Sequence, residues 1–275
     1  MKKMFKTLMG LIFILSLFSC NVNKTDNSDS LTKTEDSTSI SNPHLMMAVL
    51  YHQQAAESRA LYYQAYNLAQ LMLDKDLENK KLKGKRAVVV DIDETILDNS
   101  PFEAAMITRN AKFPEDWEKW TELAKAKALP GSVEFLKYAA DKGVEVFYVT
   151  NRKLTEREAT IKNLLEAEFP MADTNHIFVK LDKSSKTERR NKIMEDYRIV
   201  LLVGDNLTDF DGVFDKASPE DRTAKTDEFK NEFGRRFIVL PNAMYGDWEK
   251  AIYEYSKTSS QNDKAEIRKS ILRDF

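Results

Sequence analysis

The chain has 275 residues, of which 42% are hydrophobic and 31% charged, so it can bury the core of one large domain or two small ones. Its formal charge is −2, with 42 basic residues against 44 acidic ones. This balance, without a long basic stretch, argues against a surface that binds a nucleic-acid polymer.

The first 19 residues have the pattern of a signal peptide. Basic residues precede a short apolar run, residues 8–18, that is too short to span a bilayer as a permanent helix. The segment ends in Leu-Phe-Ser-Cys, and Cys20 is the only cysteine of the chain. This ending resembles the lipobox of bacterial lipoproteins, which implies cleavage before Cys20 and a lipid on its sulfur. We therefore expect a protein anchored by lipid in the bacterial cell envelope, at the outer membrane or the cell surface.

The next segment, residues 20–42, is almost wholly polar and predicts a disordered tether between Cys20 and the folded domain. The domain is expected over residues 43–275. It opens with a helical region over residues 44–77, where apolar residues recur at helical spacing. Another helix is expected over residues 248–275. We expect the N- and C-terminal helices to form a smaller helical subdomain.

Between these regions, short β-branched runs alternate with amphipathic stretches. Strands are predicted over residues 87–92, 144–151, 176–180, 198–206 and 235–242, and helices over residues 132–143, 154–169 and 186–197. Such alternation predicts an α/β fold with a doubly wound parallel sheet that carries helices on both faces. The valine-rich runs are typical of strands that are buried on both sides.

Polar residues follow three of these strands. They are Asp91 and Asp93 after the first, Thr150, Asn151 and Arg152 at the end of the second, and Asp205, Asp209 and Asp211 after the third. Ligands of doubly wound sheets bind beyond the carboxyl ends of the strands, so we expect these clusters to meet at one edge. Carboxylates placed together repel unless a cation lies among them, and oxygen donors without His or Cys favour Mg²⁺. Residues 91–100 are superficially like a calcium-binding EF-hand loop, but lack its glycine and follow a strand.

The order Asp-x-Asp-x-Thr, strand-end Thr, downstream Lys and Gly-Asp-Asn-x-x-Asp resembles the haloacid dehalogenase (HAD) superfamily. The longer stretches DIDETILDNSP, VFYVTNRK, GDNLTDF and FIVLPNAMYGDWE resemble the class C acid phosphatases, a family of bacterial surface lipoproteins. The resemblance covers roughly residues 43–255. It implies a HAD-like fold and Mg²⁺-dependent hydrolysis of phosphomonoesters, with nucleoside 5′-monophosphates among the substrates.

The resemblance also implies the catalytic roles. Asp91 is the expected nucleophile, which forms an aspartyl-phosphate, and Asp93 the general acid and then base. Thr150 is expected to bind the phosphoryl oxygens, and a lysine to neutralise their charge. Lys186 matches that lysine best, with Lys180 and Lys183 as alternatives. Mg²⁺ is expected on Asp91, the main-chain carbonyl of Asp93 and Asp205, with Asp209 in or just outside its ligand shell.

The substrate is expected to meet aromatic rings. By position in the matching motifs, the resemblance implies that Trp117 and Tyr245 stack on a nucleobase, a contact that tolerates any base. Asn151 and Arg152 are expected at the phosphate or ribose, and Asn99 and Phe102 at the pocket mouth. Trp120 and Trp248 are expected in the core, and Glu94 as a helix cap or a solvent-facing residue.

Two other functions stay open at this stage. One is a phosphotransferase of the same superfamily, which moves phosphate to an alcohol. The other is a non-catalytic surface binding lipoprotein on the same scaffold. The expected partners are a small phosphomonoester and, through the anchor, the membrane; whether the chain forms a homodimer is left open.

Overall fold

The computed structural model describes residues 43–256 and 260–275, which belong to one compact unit. The predicted signal peptide, Cys20 and the whole tether lie outside the described residues.

Five parallel strands form a central sheet in the order β5-β4-β1-β6-β7. They are β1 (Lys85–Val90), β4 (Glu145–Lys153), β5 (Ile177–Lys180), β6 (Tyr197–Gly204) and β7 (Phe237–Val239). The central strand β1 is buried on both faces: Val88 and Val90 belong to one hydrophobic cluster, and Ala87 and Val89 to another. The predicted doubly wound α/β sheet is therefore confirmed.

Ten α-helices are described. They are α1 (Pro43–Gln54), α2 (Ala56–Glu78), α3 (Ser100–Thr108), α4 (Trp117–Leu123), α5 (Ser132–Asp141), α6 (Arg157–Glu166), α7 (Thr187–Met194), α8 (Pro219–Glu228), α9 (Asp247–Ile252) and α10 (Gln261–Ser270). Helices α2, α5 and α6 contribute to the cluster on one face of the sheet, and α7 contributes to the cluster on the other. No helix within the described ranges combines the length and apolar character needed to cross a membrane.

The terminal helices pack beside the carboxyl edge of the sheet. Leu45 and Val49 of α1 form a small core with Ile107 of α3 and with Met244. Arg268 of α10 lies 2.9 Å from the His44 ring nitrogen of α1, so the two ends of the domain meet. The predicted long C-terminal helix is two helices, because Glu254 adopts a left-handed conformation and Ser260 starts α10 by accepting the Asp263 N–H.

Some elements near the strand ends carried no clear sequence pattern. Two-residue strands, β2 (Leu97–Asp98) and β3 (Lys127–Ala128), pair antiparallel. Helices α3 and α4 lie between them along the chain. Strands this short have no measurable periodicity, so only tertiary contacts decide where they form.

Candidate active site

The turn after β1 carries the first two aspartates into the site. The N–H of Asp91 donates to the carbonyl of Val203 on β6 (3.0 Å), which continues the sheet by one residue. Glu94 then adopts a left-handed conformation (φ 57°), and its N–H donates to the carbonyl of Leu97 (2.9 Å). The chain thus turns back sharply, with Asp91 and Asp93 at the carboxyl end of the central strand.

A lysine and three carboxylates come together at this edge. Oxygens of Asp91, Asp205 and Asp209 all lie within 4.8 Å of one another. The ammonium of Lys186 pairs with Oδ1 of Asp91 and lies 2.6 Å from Oδ1 of Asp209. Because β1 and β6 are neighbours in the sheet, residues more than a hundred positions apart meet here.

Burial and mutual repulsion shape the charges of this cluster. Burial raises the pKa of Asp91 to about 7; the Lys186 ammonium opposes this rise, while Asp209 and Asp93 add to it. The pKa of Asp205 also rises well above its usual value, through burial and then through Asp209 and Asp91. Burial opposes the charge of Lys186, but Asp209 and Asp91 raise its pKa nevertheless. One ammonium cannot balance this many carboxylates, and their hard oxygen donors fit a divalent cation such as Mg²⁺.

Asp93 is clamped from two sides. Its Oδ1 accepts from Arg152 through Nη2 (2.7 Å) and Nε (3.0 Å), and from Asn99 Nδ2 (2.8 Å). The Arg152 side chain is only 1% exposed, and its Nη1 donates to Thr160 (3.2 Å). In this structure Arg152 therefore orients the Asp93 carboxylate, and its expected contact with phosphate or ribose stays a prediction.

The other predicted phosphate contacts lie around this pair. Thr150 is fully buried; its Oγ1 accepts the Arg152 N–H (3.1 Å) and lies 3.5 Å from Oδ2 of Asp93. The side chain of Asn151 is exposed to solvent. Of the three candidate lysines, Lys186 is the one inside the carboxylate cluster, whereas Lys183 pairs with Glu188 at the surface (2.6 Å).

The chain is similar to proteins of one known family. A family model described as "HAD superfamily, subfamily IIIB (Acid phosphatase)" matches residues 18–248, most of the chain. The chain belongs to the subfamily IIIB acid phosphatases.

Solved structures agree with this assignment. Two structures of the class C acid phosphatase from Bacillus anthracis are 44% identical to this chain. The one with tungstate bound has a TM-score of 0.82 and covers 84% of this chain and 98% of its own. The other has a TM-score of 0.83, with 86% and 99% covered. A curated relative, acid phosphatase 1 of Solanum lycopersicum, is 30% identical over 171 residues. That match spans 59% of each of the two chains.

The two predicted stacking residues of this acid phosphatase, Trp117 and Tyr245, are each partly accessible to solvent. Trp117 is partly buried, edge-to-face with Phe102 (5.1 Å), and its ring lies 5.8 Å from the Arg152 guanidinium. Tyr245 is also partly buried, three residues after Asn242, whose Nδ2 donates to Asp205 (2.8 Å). The Trp117 ring thus contacts the arginine that pairs with Asp93, whereas Tyr245 packs against the small core formed by Leu45, Val49, Ile107 and Met244.

The structure decides how deeply Trp120, Trp248 and Glu94 are buried. Trp120 is partly buried, and its Nε1 donates to Asn99 Oδ1 (2.8 Å), which makes it a packing residue. Trp248 is 42% exposed, so its predicted place in the core is wrong. Glu94 does not face solvent: its carboxylate is fully buried and accepts the Asn99 N–H (2.7 Å), directly before α3.

Sequence reasoning missed the residues that hold the acid phosphatase site in place. Thr95 Oγ1 lies 3.1 Å from Asp205 Oδ1, and Asn99 was expected only at the pocket mouth. Gly204 precedes Asp205, and a Cβ at Gly204 would collide with the Asp209 carboxylate. The glycine of the Gly-Asp-Asn sequence was therefore a usable signal, whereas nothing local marked Asn242.

Proposed function

We propose that this acid phosphatase hydrolyses phosphomonoesters in two steps, with Asp91 as nucleophile and Mg²⁺ as cofactor. The observation that carries the proposal is the pairing of two differently held aspartates. Asp91 lies among Lys186, Asp205 and Asp209, while Asp93, two residues on, is clamped by Arg152 and Asn99. Different surroundings for two neighbouring carboxyl groups suit them to different roles.

In the first step a carboxylate oxygen of Asp91 bonds to phosphorus, and the bond from phosphorus to the leaving oxygen breaks. Asp93 gives its proton to that leaving oxygen, so the product is a neutral alcohol. In the second step Asp93 takes a proton from a water molecule as that water attacks the aspartyl-phosphate. Inorganic phosphate leaves, and Asp91 is free again.

Charge on the phosphoryl oxygens is balanced by groups that are already in position. The Lys186 ammonium contacts Asp91, where the phosphoryl group bonds, and Thr150 lies beside Asp93. Mg²⁺ would be held by Asp91, Asp205, Asp209 and the main-chain carbonyl of Asp93. When bound, the ion supplies positive charge against the phosphoryl oxygens.

Phosphate release from a panel of phosphomonoesters tests the chemistry. Asp91→Asn keeps the shape of the side chain but removes the nucleophile, so we expect activity to fall to the background rate. Asp211→Asn is the matched control, because Asp211 Oδ1 accepts the Val213 N–H (3.0 Å), a hydrogen bond that an amide oxygen also accepts. Excess chelator should abolish the wild-type rate, and added Mg²⁺ should restore it. Turnover by Asp91→Asn would refute the nucleophile, and full activity in chelator would refute the metal.

The same assay separates hydrolysis from phosphate transfer. With an alcohol present as acceptor, a hydrolase releases phosphate and the leaving alcohol in equal amounts. A deficit of free phosphate would identify a phosphotransferase.

We propose nucleoside 5′-monophosphates as preferred substrates, with the base between Trp117 and Tyr245. The partial exposure of both rings and the contact of Trp117 with Arg152, which pairs with Asp93, support this preference. A base–aromatic stack is worth about 1–3 kcal/mol, so Tyr245→Ala should lower kcat/KM for a nucleotide by about five- to a hundredfold. A small aryl phosphate should lose much less, and Tyr51→Ala, at an exposed tyrosine of α1, should affect neither substrate. Equal losses for both substrates would remove the support for a nucleotide preference.

We further propose that the enzyme works in the bacterial envelope, held by lipid on Cys20. The signal-peptide pattern and the polar segment before α1 support this location. Mass spectrometry of the mature protein should find an acylated Cys20 as the first residue. A mature chain that retains residues 1–19, or carries an unmodified Cys20, would contradict the proposal.

A further inference from the structure

Arg189 lies in the first turn of α7, three residues after Lys186. Its guanidinium faces main-chain and side-chain oxygens from three segments. Nη1 donates to the carbonyls of Thr150 and Phe178 (3.5 Å), and Nη2 to Asn151 Oδ1 (2.7 Å) and to the carbonyls of Ser184 (3.1 Å) and Ser185 (3.1 Å). One side chain therefore joins the end of β4 to the loop that leads into Lys186.

The end of β4 needs such a support. The register between β4 and β5 shifts between Val149 and Lys153, so Thr150 and Asn151 have no partner on β5. Arg189 binds the Thr150 carbonyl in the place of a strand neighbour. In a trans peptide the carbonyl and the next N–H point in opposite directions, so this contact turns the Asn151 N–H away from Arg189. The orientation of a main-chain donor beside Thr150 is thereby set.

The same guanidinium restrains the lysine. Ser184 and Ser185 directly precede Lys186, and both of their carbonyls accept from Arg189. Lys186 reaches Asp91 from this loop. Displacement of the loop would therefore move the ammonium relative to the nucleophile.

Like Arg190 and Arg222, Arg189 donates its hydrogen bonds to oxygens that carry no full charge. Arg152 and Arg198 both face carboxylates, of Asp93 and Asp76. No ion pair found among the described residues includes Arg189, whose acceptors are carbonyl and amide oxygens. The nearby Asp91 and Asp209 carboxylates favour its positive charge. The same positive charge favours the negative charge that a phosphoryl group brings to this site.

We propose that Arg189 is a positioning residue for phosphoryl transfer, which sets the spacing between the Thr150–Asn151 peptide and Lys186. The proposal rests on the phosphoryl site described under the proposed function. It assigns Arg189 no contact with the substrate: the residue acts through the groups that it holds.

The test compares Arg189→Ala and Arg189→Lys with Arg236→Ala, a control at an exposed arginine that pairs only loosely with Glu232 (3.6 Å). For each variant, kcat, KM and the inhibition constant of orthovanadate are measured, together with the thermal unfolding midpoint. For Arg189→Ala we expect kcat/KM to fall by about a hundredfold and the vanadate constant to rise at least about tenfold. Free guanidinium should restore part of the activity of Arg189→Ala, and Arg236→Ala should match the wild type.

Arg189→Lys keeps the positive charge, but one ammonium cannot hydrogen-bond to both segments as the guanidinium does. Its kcat/KM should therefore remain well below that of the wild type. This variant carries the test if Arg189→Ala does not fold. A purely structural role would lower the unfolding midpoint and the active fraction, while vanadate affinity and KM stayed unchanged; that result would overturn the proposal. A wild-type protein without phosphatase activity would instead refute the proposed function, so the two failures are distinguishable.

Discussion

At the scale of single residues, the two oxygens of Asp93 have different surroundings. Oδ1 accepts from two Arg152 nitrogens and from Asn99, whereas Oδ2 has only longer contacts, with Arg152 Nε (3.3 Å) and Thr150 Oγ1 (3.5 Å). In the proposed mechanism, Oδ2 is therefore the oxygen of Asp93 that faces fewer close donors. Burial opposes the charge of Arg152, but the Asp93 carboxylate raises the pKa of Arg152, so this guanidinium stays charged.

Arg152→Lys should therefore weaken the general acid more than the nucleophile. A lysine keeps the charge but loses the two-nitrogen grip on Oδ1. General acid catalysis contributes about 10²–10⁴-fold, so part of that factor, about 10- to 100-fold, should be lost for an alkyl phosphate. A nitrophenyl phosphate should lose less, because its leaving group departs without a proton. Rates across leaving groups of graded pKa measure this, and a uniform loss would show that Arg152 does not serve the acid.

At the scale of elements, α2 holds the turn that follows Asp91 and Asp93 through two tyrosine hydroxyls. Tyr62 and Tyr66 are four residues apart and so lie on one helix face. Their hydroxyls donate to the carbonyls of Glu94 (2.8 Å) and Thr95 (2.6 Å). Both rings are buried, whereas Tyr63, on the neighbouring helix face, is 40% exposed. The helix thus ties a strained turn to the core.

Tyr66→Phe should cost about 1–3 kcal/mol of unfolding free energy, because it leaves the buried Thr95 carbonyl without this donor. Urea denaturation measures the change. Tyr63→Phe removes an exposed hydroxyl that accepts only from Arg59 and should change the free energy little. Equal stability of the two variants would mean that the Tyr66 hydrogen bond does not support the turn.

At the scale of the whole molecule, the fold brings two distant glutamates together. Glu103 of α3 is 8% exposed, and burial, with a further contribution from Glu249 of α9, raises its pKa to about 7. Its ordinary value is 4.5, so between these two pH values the folded chain holds a proton that the unfolded chain has lost. Glu103 therefore makes the fold less stable as pH rises from about 4.5 through 7.

Glu103→Gln should remove this pH dependence. Above pH 7 the free energy of unfolding should increase by about 1–3 kcal/mol, while below pH 4.5 it should be nearly unchanged. Denaturation midpoints from pH 4 to pH 8 measure it, with Glu134→Gln at an exposed position of α5 as the control. A pH profile identical to the wild type would show that Glu103 does not titrate with unfolding.

Local sequence patterns were sufficient to predict the parallel sheet and the edge at which its functional residues meet. Buried parallel strands need continuous apolar runs, and such runs mark β1, β4 and β6 without any knowledge of distant residues. Ligands bind where parallel strands end, so Asp91, Thr150 and Asp205 could be assigned to one edge. The family followed from the motifs at those ends, and the family match confirms it.

Only the tertiary structure decided how these residues are held. Asn242 on Asp205, Arg189 on Thr150 and Tyr66 on Thr95 are contacts between segments that no periodicity connects. The ion pair of Arg152 with Asp93 joins residues 59 positions apart and could not be predicted from the position of Arg152 after Asn151. A sequence shows which side chains can do chemistry, because that depends on their own groups. Which neighbour each one meets depends on chain packing, because hydrogen bonds and burial join residues that are far apart along the chain.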